Sequence, residues 1–345
     1  MGGEMSGVAV IFGGSGFIGV WFADMLIREQ GYTKVYLADL ERVDDKPHPF
    51  RVRLAGVHGS ALQFVSVDVR NSIEWRPLES VSLVANFAAV HREPGHEDSE
   101  YFETNIHGAR NVCAWADRVG CDSIVFTSSI SPYGISEAEK TEETLTVPVT
   151  AYGSSKLIAE EIHRTWQALA PAARRLTIVR PGVVFGPGEG GNVSRLVKAV
   201  SRGYFLYMGN RNTRKAGIYV KELCNSILWV RRRQLDHGIG VELFNASMNP
   251  GPSISDYVES VKRVGRVKAI VPNMPYGLLL AASYLIELVA RPLRISHPFS
   301  PVRIRKLVRS NNVLPGYLES SGYQYRYDLD SAFADWKSEC PSEWA

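Results

Sequence analysis

The chain has 345 residues, 45% of them hydrophobic and 22% charged, which fits one large or two modest globular domains with a real core and excludes a disordered chain. Its 39 Lys and Arg against 36 Asp and Glu leave a net charge of +3, with no basic block interleaved with aromatics, so nothing calls for nucleic acid. Cys113, Cys121, Cys224 and Cys340 have neither metal-ligand spacing nor a disulfide framework, which predicts packing residues in a reducing compartment and no metal.

The N-terminus runs directly into an apolar strand-like stretch, residues 8–12, without the pattern of a signal peptide, so a cytoplasmic protein is expected. Gly13-Gly-Ser-Gly16-Phe-Ile-Gly19 follows, and residues 20–29 carry helical spacing. Strand, glycine turn and helix N-terminus together present backbone N–H groups and a positive dipole end to a pyrophosphate. A second strand, residues 34–38, ends in Asp39, where an acid can accept from an adenosine ribose diol and repel a 2′-phosphate. Two further runs, 62–67 and 82–86, end in Asp68-Val69 and Phe87-Ala88-Ala89. Strands separated by helix-length segments predict a parallel sheet with its ligand across the carboxyl edge. At that edge Asp68 either accepts from an adenine amino group or caps a loop, and Ala88 and Ala89 either let a cofactor pass close by or fill the core.

Residues 98–119 read as a long helix with Asn105 on its buried face. A buried amide must find partners, so Asn105 ties backbone at the sheet edge or belongs to a proton relay. A fifth strand, 123–128, brings Ser128-Ser129 to the same edge. Tyr152-Gly-Ser-Ser-Lys156 then opens a helix, and the four-residue spacing stacks an ammonium beside a phenol. A fixed cation is a means of lowering a tyrosine that otherwise ionises near 10.

Gly13-x-x-Gly16-x-x-Gly19, Asp39, Asp68-Val69, Asn86-Phe-Ala-Ala89, Asn105-x-x-Gly108-x-x-Asn111-Val112, Ser128-Ser129 with Tyr133-Gly134, Tyr152-x-x-x-Lys156 and Arg180-Pro-Gly-Val-Val-Phe-Gly-Pro187 stand here in one order. Over roughly residues 8 to 230 the chain thereby resembles the extended short-chain dehydrogenase/reductase family, in its NAD-dependent epimerase/dehydratase branch, whose members act mostly on nucleotide sugars. The resemblance implies an α/β fold: a doubly wound parallel Rossmann sheet over residues 1–181, with 221–248 returning to it. A smaller C-terminal α/β substrate domain is expected from 182–220 and 249–345. It implies NAD as cofactor, held by Gly13, Ser15, Gly16, Phe17, Ile18, Gly19, Asp39, Asp68, Val69, Ala88, Ala89, Asn105, Tyr152, Lys156, Pro181 and Val183. Ser129, Tyr152 and Lys156 are its catalytic residues, Ser129 being selected over Ser128 by its place four residues before the Tyr-Gly pair.

Substrate recognition is expected beyond Arg180, with His91, Ser129, Ser131, Tyr152, Asn192, Arg214 and Lys215 as candidates. Asn192 is also a candidate helix N-cap and the Arg214-Lys215 pair a candidate solvated face. Residues 276–290 are apolar but too short, and carry Glu287, so the expectation is a buried or dimer-packing helix rather than a membrane span. Residues 291–309 hold six Lys or Arg and no acid, which suits a diphosphate, an anionic surface or, with the helix before it, an interfacial membrane contact. The expected activity is C4 epimerisation of a UDP-hexose or UDP-N-acetylhexosamine through a 4-keto intermediate, in a homodimer. The alternatives are a nucleotide-sugar 4-ketoreductase and a 3β-hydroxysteroid-type dehydrogenase.

Overall fold

The computed structural model describes residues 7–45, 48–93, 95–134, 136–268, 270–290 and 310–345; the basic stretch 291–309 lies outside the described residues. Alternation along the first strand, β1 (Val8–Phe12), sets the layers. Val8, Val10 and Phe12 join one buried cluster, while Ala9 and Ile11 join another. Successive side chains of a strand leave opposite faces, and a strand covered on both faces is apolar throughout.

Around β1 lie β2 (Lys34–Asp39), β3 (Leu62–Ser66), β4 (Val81–Asn86) and β5 (Ser123–Thr127). After β6 (Ser136–Lys140), which pairs elsewhere, come β7 (Arg175–Pro181), the short strands β8 (Val183–Phe185), β9 (Tyr207–Met208) and β10 (Gly217–Tyr219), and β11 (Val241–Ala246). The seven-stranded sheet runs β11-β7-β5-β4-β1-β2-β3, and every neighbouring pair is parallel. Strand order reverses between β1 and β4, the topological switch point at which such sheets bind ligands.

Helices cover both faces. α1 (Phe17–Gln30) and the helix Val220–Asp236 pack Phe22, Leu26, Leu223 and Ile227 with Ile11 on one side. On the other, the helices Asp98–Val119 and Ala151–Ala168 pack Val112, Ala116, Ala159 and Trp166 with Val10. The helix Asp98–Val119 starts at a reciprocal capping box between Glu97 and Glu100. The helix Ala151–Ala168 starts at Thr150, whose hydroxyl accepts from the Gly153 N–H at 3.1 Å.

The remaining chain builds a cap from short parallel pairs. β8 pairs with β10, β9 with β12 (Asn273–Met274), and β6 with β13 (Asn311–Val313). Phe185, Tyr257, Phe333 and Trp336 form an aromatic cluster under it. The Glu343 carboxylate accepts from the Gly188 N–H and lies against His48 Nε2, both at 3.1 Å, and also accepts from Trp336 Nε1. Trp21 of α1 donates to the Pro187 carbonyl at 3.1 Å. The loop 186–191 is thus tied both to the chain's last turns and to the helix that follows the glycine turn.

The helix Tyr276–Ala290 departs from one of its two expectations, that of a buried helix. It forms over the predicted residues, but Leu278, Leu285 and Leu288 are 65%, 66% and 73% exposed. It is therefore not a buried helix. Among the described residues no helix is long and apolar enough to cross a membrane.

Candidate functional site

A cleft of about 290 Å³ opens at the switch point, lined by Gly13, Gly16, Asp39, Asp68, Val69, Ala88, Ala89 and His91, with Arg70 and Glu103. Its floor requires glycine. Gly13 has φ +74, and a Cβ there would meet the Ala88 nitrogen at 2.6 Å; a Cβ on Gly19 would meet the Gly14 carbonyl oxygen at 2.6 Å. α1 begins at Gly16 with no side-chain cap and no acid in its first turn, so its N–H groups face the cleft mouth. The Ser15 hydroxyl is buried without a partner, while the Ser15 N–H donates to the Asp39 carboxylate at 3.1 Å. Burial raises the Asp39 carboxyl, and the Leu40 and Ser15 N–H groups oppose it. The cradle, the uncapped helix and the orphaned hydroxyl all fit a dinucleotide phosphate beside a ribose-binding acid. Phe17 and Ile18 contribute by packing on the core beneath.

Asp68 lines the cleft but is already clamped. Arg70 Nε and Nη2 reach it at 2.9 and 2.8 Å, and Asn71 Nδ2 at 3.1 Å. The Arg70 fork holds its carboxyl below the usual range. Asn105 resolves toward the backbone tie. Its carbonyl accepts from the Val90 N–H at 3.0 Å, and its amide donates to the Val90 carbonyl at 3.2 Å and to Ser155 Oγ at 2.9 Å. It shapes the cleft wall next to His91 rather than lining the cleft itself.

At the other end of the sheet edge the serine loop and the helix Ala151–Ala168 meet closely. A Cβ on Gly153 would lie 2.8 Å from the Ser131 carbonyl oxygen. The Ser129 hydroxyl donates to Ser131 Oγ at 3.1 Å and accepts from the Ser131 N–H at 3.1 Å. Burial pushes Tyr152 up to about 12, against a lowering hydrogen bond from Ser129. Lys156 donates to the Thr127 carbonyl at 2.8 Å and lies 4.9 Å from the Phe126 ring centroid. Burial pulls its ammonium down to about 7, opposed by the charge of Glu160. The expected lowering of the phenol by Lys156 is therefore not what these groups show by themselves. Burial outweighs it, and the ammonium is directed at Thr127.

Sequence reasoning missed the group behind this pair. Glu160 stands four residues after Lys156 and so on the same helix face. It accepts from Arg180 Nε at 2.8 Å and Nη2 at 2.6 Å, and from the Ser128 hydroxyl. Ser128 is thereby engaged inward while Ser129 faces Tyr152, which separates the two neighbouring serines. The Tyr-Lys-Glu spacing was a signal that could have found Glu160. Farther along, His163 stacks on Phe126 at 4.1 Å, donates from Nδ1 to the Ala159 carbonyl at 2.7 Å and accepts at Nε2 from the Asn86 amide at 3.3 Å.

The predicted substrate residues divide. His91 lines the cleft and Ser131 bonds Ser129. Of the residues expected at NAD, Pro181 accepts through its carbonyl from the Ile130 N–H at 3.2 Å, and Val183 begins β8. Lys215 precedes Ala216, which packs with Ile130 and Tyr133; burial lowers its ammonium. Arg214 is turned onto the Gly251 carbonyl. Asn192 is the first residue of the helix Asn192–Ser201 rather than its N-cap, which is Gly191, and its carbonyl accepts from Arg195 at 2.6 Å. Glu189 satisfies that helix start by accepting from the Ser194 N–H at 2.8 Å.

Residues 9–243 match the model of the NAD dependent epimerase/dehydratase family. The chain is 30% identical over 252 residues, 73% of it and 75% of the relative, to the N-acetyl-alpha-D-glucosaminyl-diphospho-ditrans,octacis-undecaprenol 4-epimerase of Escherichia coli O157:H7. It is 21% identical, across 96% of itself and 97% of the relative, to a decarboxylating sterol-4-alpha-carboxylate 3-dehydrogenase of Candida albicans. Among solved structures, UDP-glucuronic acid 4-epimerase from Bacillus cereus in complex with NAD superposes with TM-score 0.74 at 16% identity, over 98% of this chain and 100% of that one. The UDP-Glc/GlcNAc 4-epimerase of Campylobacter jejuni superposes with TM-score 0.70 at 18% identity, over 97% and 100%. At these identities the structures share the fold.

Proposed function

The chain belongs to the NAD-dependent epimerase/dehydratase family, and from that premise we propose that it inverts C4 of a diphosphate-linked hexose or N-acetylhexosamine, UDP-linked forms being favoured. The observation that supports the reading is the Ser129 hydrogen bond to Tyr152, with Lys156 one helical turn on and held at the Thr127 carbonyl, on the same sheet edge as the glycine-floored cleft. Gly13, Ser15, Gly16 and Gly19 would hold the pyrophosphate of NAD and Asp39 its adenosine ribose. NAD, when bound, supplies the hydride acceptor and donor at C4.

The chain's own residues handle the proton and the pose. Tyr152 removes the proton of the C4 hydroxyl and returns it to the same oxygen once C4 has been inverted; Ser129 orients that oxygen; Lys156 stabilises the phenolate. A neutral phenol and a lysine titrating near neutrality are compatible with this, because a positive charge brought beside Tyr152 lowers it by the rule that opposite charge favours the ionised form. Lys215 is the basic residue assigned to the diphosphate, since its segment packs through Ala216 beside the serine loop. The four thiols are unpaired and buried, which supports a cytoplasmic setting, and we assign a homodimer, to be read by sedimentation.

A second reading replaces the uridine by a polyprenol, and the E. coli relative, an undecaprenol-linked N-acetylglucosaminyl-diphosphate 4-epimerase, favours it. The test follows C4 stereochemistry by NMR for UDP-glucose, UDP-N-acetylglucosamine and a short-chain polyprenyl-diphosphate N-acetylglucosamine, with no added reductant. Interconversion without net NADH supports epimerisation and identifies the carrier. Stoichiometric NADH consumption on a 4-keto sugar replaces the reading by a reductase, and silence on all three with turnover of a 3β-hydroxysteroid replaces it by a dehydrogenase.

A further inference from the structure

We propose that the helix Tyr276–Ala290 is an interfacial docking element that lies on an anionic lipid surface with its leucine stripe in the headgroup and acyl boundary. The inference goes beyond the epimerase reading and stands whatever the diphosphate carries.

The helix inverts the pattern of a globular-protein helix, whose apolar stripe faces inward. Toward the protein it presents Leu279, Ser283 and Ala290, which are 7%, 1% and 6% exposed. The Ser283 hydroxyl there donates to its own helix at the Leu280 carbonyl, 2.7 Å away. Outward it presents Leu278, Ala282, Leu285 and Leu288, at three- and four-residue spacing and therefore on one stripe. Glu287 is the only charged side chain in its sequence. A continuous leucine stripe facing water is unfavourable and marks an interaction surface.

The chain's charge decides which occupant. From Ala290 the sequence continues into residues 291–309, with six Lys or Arg and no acid, in a protein whose net charge is only +3. A leucine stripe followed at once by concentrated positive charge complements anionic headgroups over an acyl layer. At about 1.5 Å per residue the helix is roughly 22 Å long, short of the roughly 30 Å hydrocarbon core, so it lies on the bilayer rather than across it.

The attachment points give the docked protein an orientation. The chain enters the helix from β12, which pairs with β9. It rejoins the described structure at Ser310, whose N–H donates to Glu137 at 3.0 Å, and at Asn311, which pairs with Ser136. Both attachments lie on the cap, and β6 directly follows the serine loop. Docking therefore places the cap nearest the membrane.

The test is co-sedimentation of the full chain, without substrate, on vesicles of phosphatidylcholine with and without phosphatidylglycerol. Wild type is expected to bind the phosphatidylglycerol vesicles and to release partly at high salt. The combined variant L278E/L285E/L288E, at positions already exposed to water, is expected to keep its circular dichroism and NAD binding and to lose roughly tenfold or more of its vesicle affinity. Absence of wild-type binding, or undiminished binding of the variant, overturns the proposal. So does a variant that converts a dimer to monomer while vesicle binding is unchanged, which assigns the stripe to a second copy. Because no turnover is read, failure here leaves the epimerase reading untouched, and failure of that reading leaves this one untouched.

Discussion

Replacing Lys156 by methionine should make the cofactor-free protein more stable while disabling it. Lys156 is 2% exposed and its ammonium has one hydrogen bond, to Thr127 at 2.8 Å. Burial drops its pKa from 10.5 to about 7, which at 1.36 kcal/mol per tenfold is about 5 kcal/mol against the charged native form. An unfolded lysine keeps its proton up to about 10.5, whereas the folded one releases it near 7. Between those values the unfolded chain binds more protons, so wild-type stability rises with pH across that window, and below it the full penalty remains. Methionine has nearly the same length and no charge. Losing the hydrogen bond to Thr127 and the contact with the Phe126 ring returns about 1–2 kcal/mol. The net expectation is that Lys156→Met is about 3–4 kcal/mol more stable than wild type near pH 6, and that the gap closes toward pH 10. Urea unfolding of the cofactor-free proteins at a series of pH values measures it, alongside turnover, which should collapse. A variant no more stable than wild type at pH 6, or a gap that does not change with pH, would refute the reasoning.

Three further outcomes are expected. Tyr152→Phe should retain NAD, read by titration, while turnover falls about 10²–10⁴-fold; activity within tenfold of wild type would move the acid/base role elsewhere. NAD should bind more tightly than NADP because the Asp39 carboxylate meets the added phosphate, and Asp39→Asn should narrow the difference; calorimetry showing tighter NADP binding to wild type would sink the assignment. Glu160→Gln leaves the Arg180 guanidinium buried without its 2.6 and 2.8 Å carboxylate partners and should destabilise by about 3–5 kcal/mol. Adding Arg180→Met should recover part of that loss, and strictly additive effects of the two would contradict the pairing.

The fold was legible because the chain states it twice, in apolar runs and in the motifs that end them. β1 occupies the predicted residues, the long helix spans residues 98–119 as read, and β11 returns to the sheet. The glycine turn was legible because close backbone approach leaves no room for a side chain. The rest depended on side-chain partners that no motif names. Nothing at Asp68 says that Arg70 clamps it from the side, and Arg180 stood in a quoted motif without a role until the fold set it on Glu160. Tyr152 and Lys156 lie on one helix as the spacing predicts, but burial, invisible in spacing, set their proton affinities. The helix at 276–290 misled because an all-apolar segment has no polar side from which to infer its inner face.

The bond between Glu343 and the loop at Gly188 spans 155 residues, and it imposes an order in time. The sheet's last strand ends at Ala246, and Glu343 leaves the ribosome roughly a hundred residues later, on the order of 5–20 s at typical elongation rates. During that interval the glycine turn, Asp39 and the paired strands can assemble, while the loop 186–191 still lacks its C-terminal anchor. Newly made chains should thus complete the sheet and its glycine-floored cleft before that loop is fixed, and a ribosome stalled within that interval should display a protein that already binds NAD.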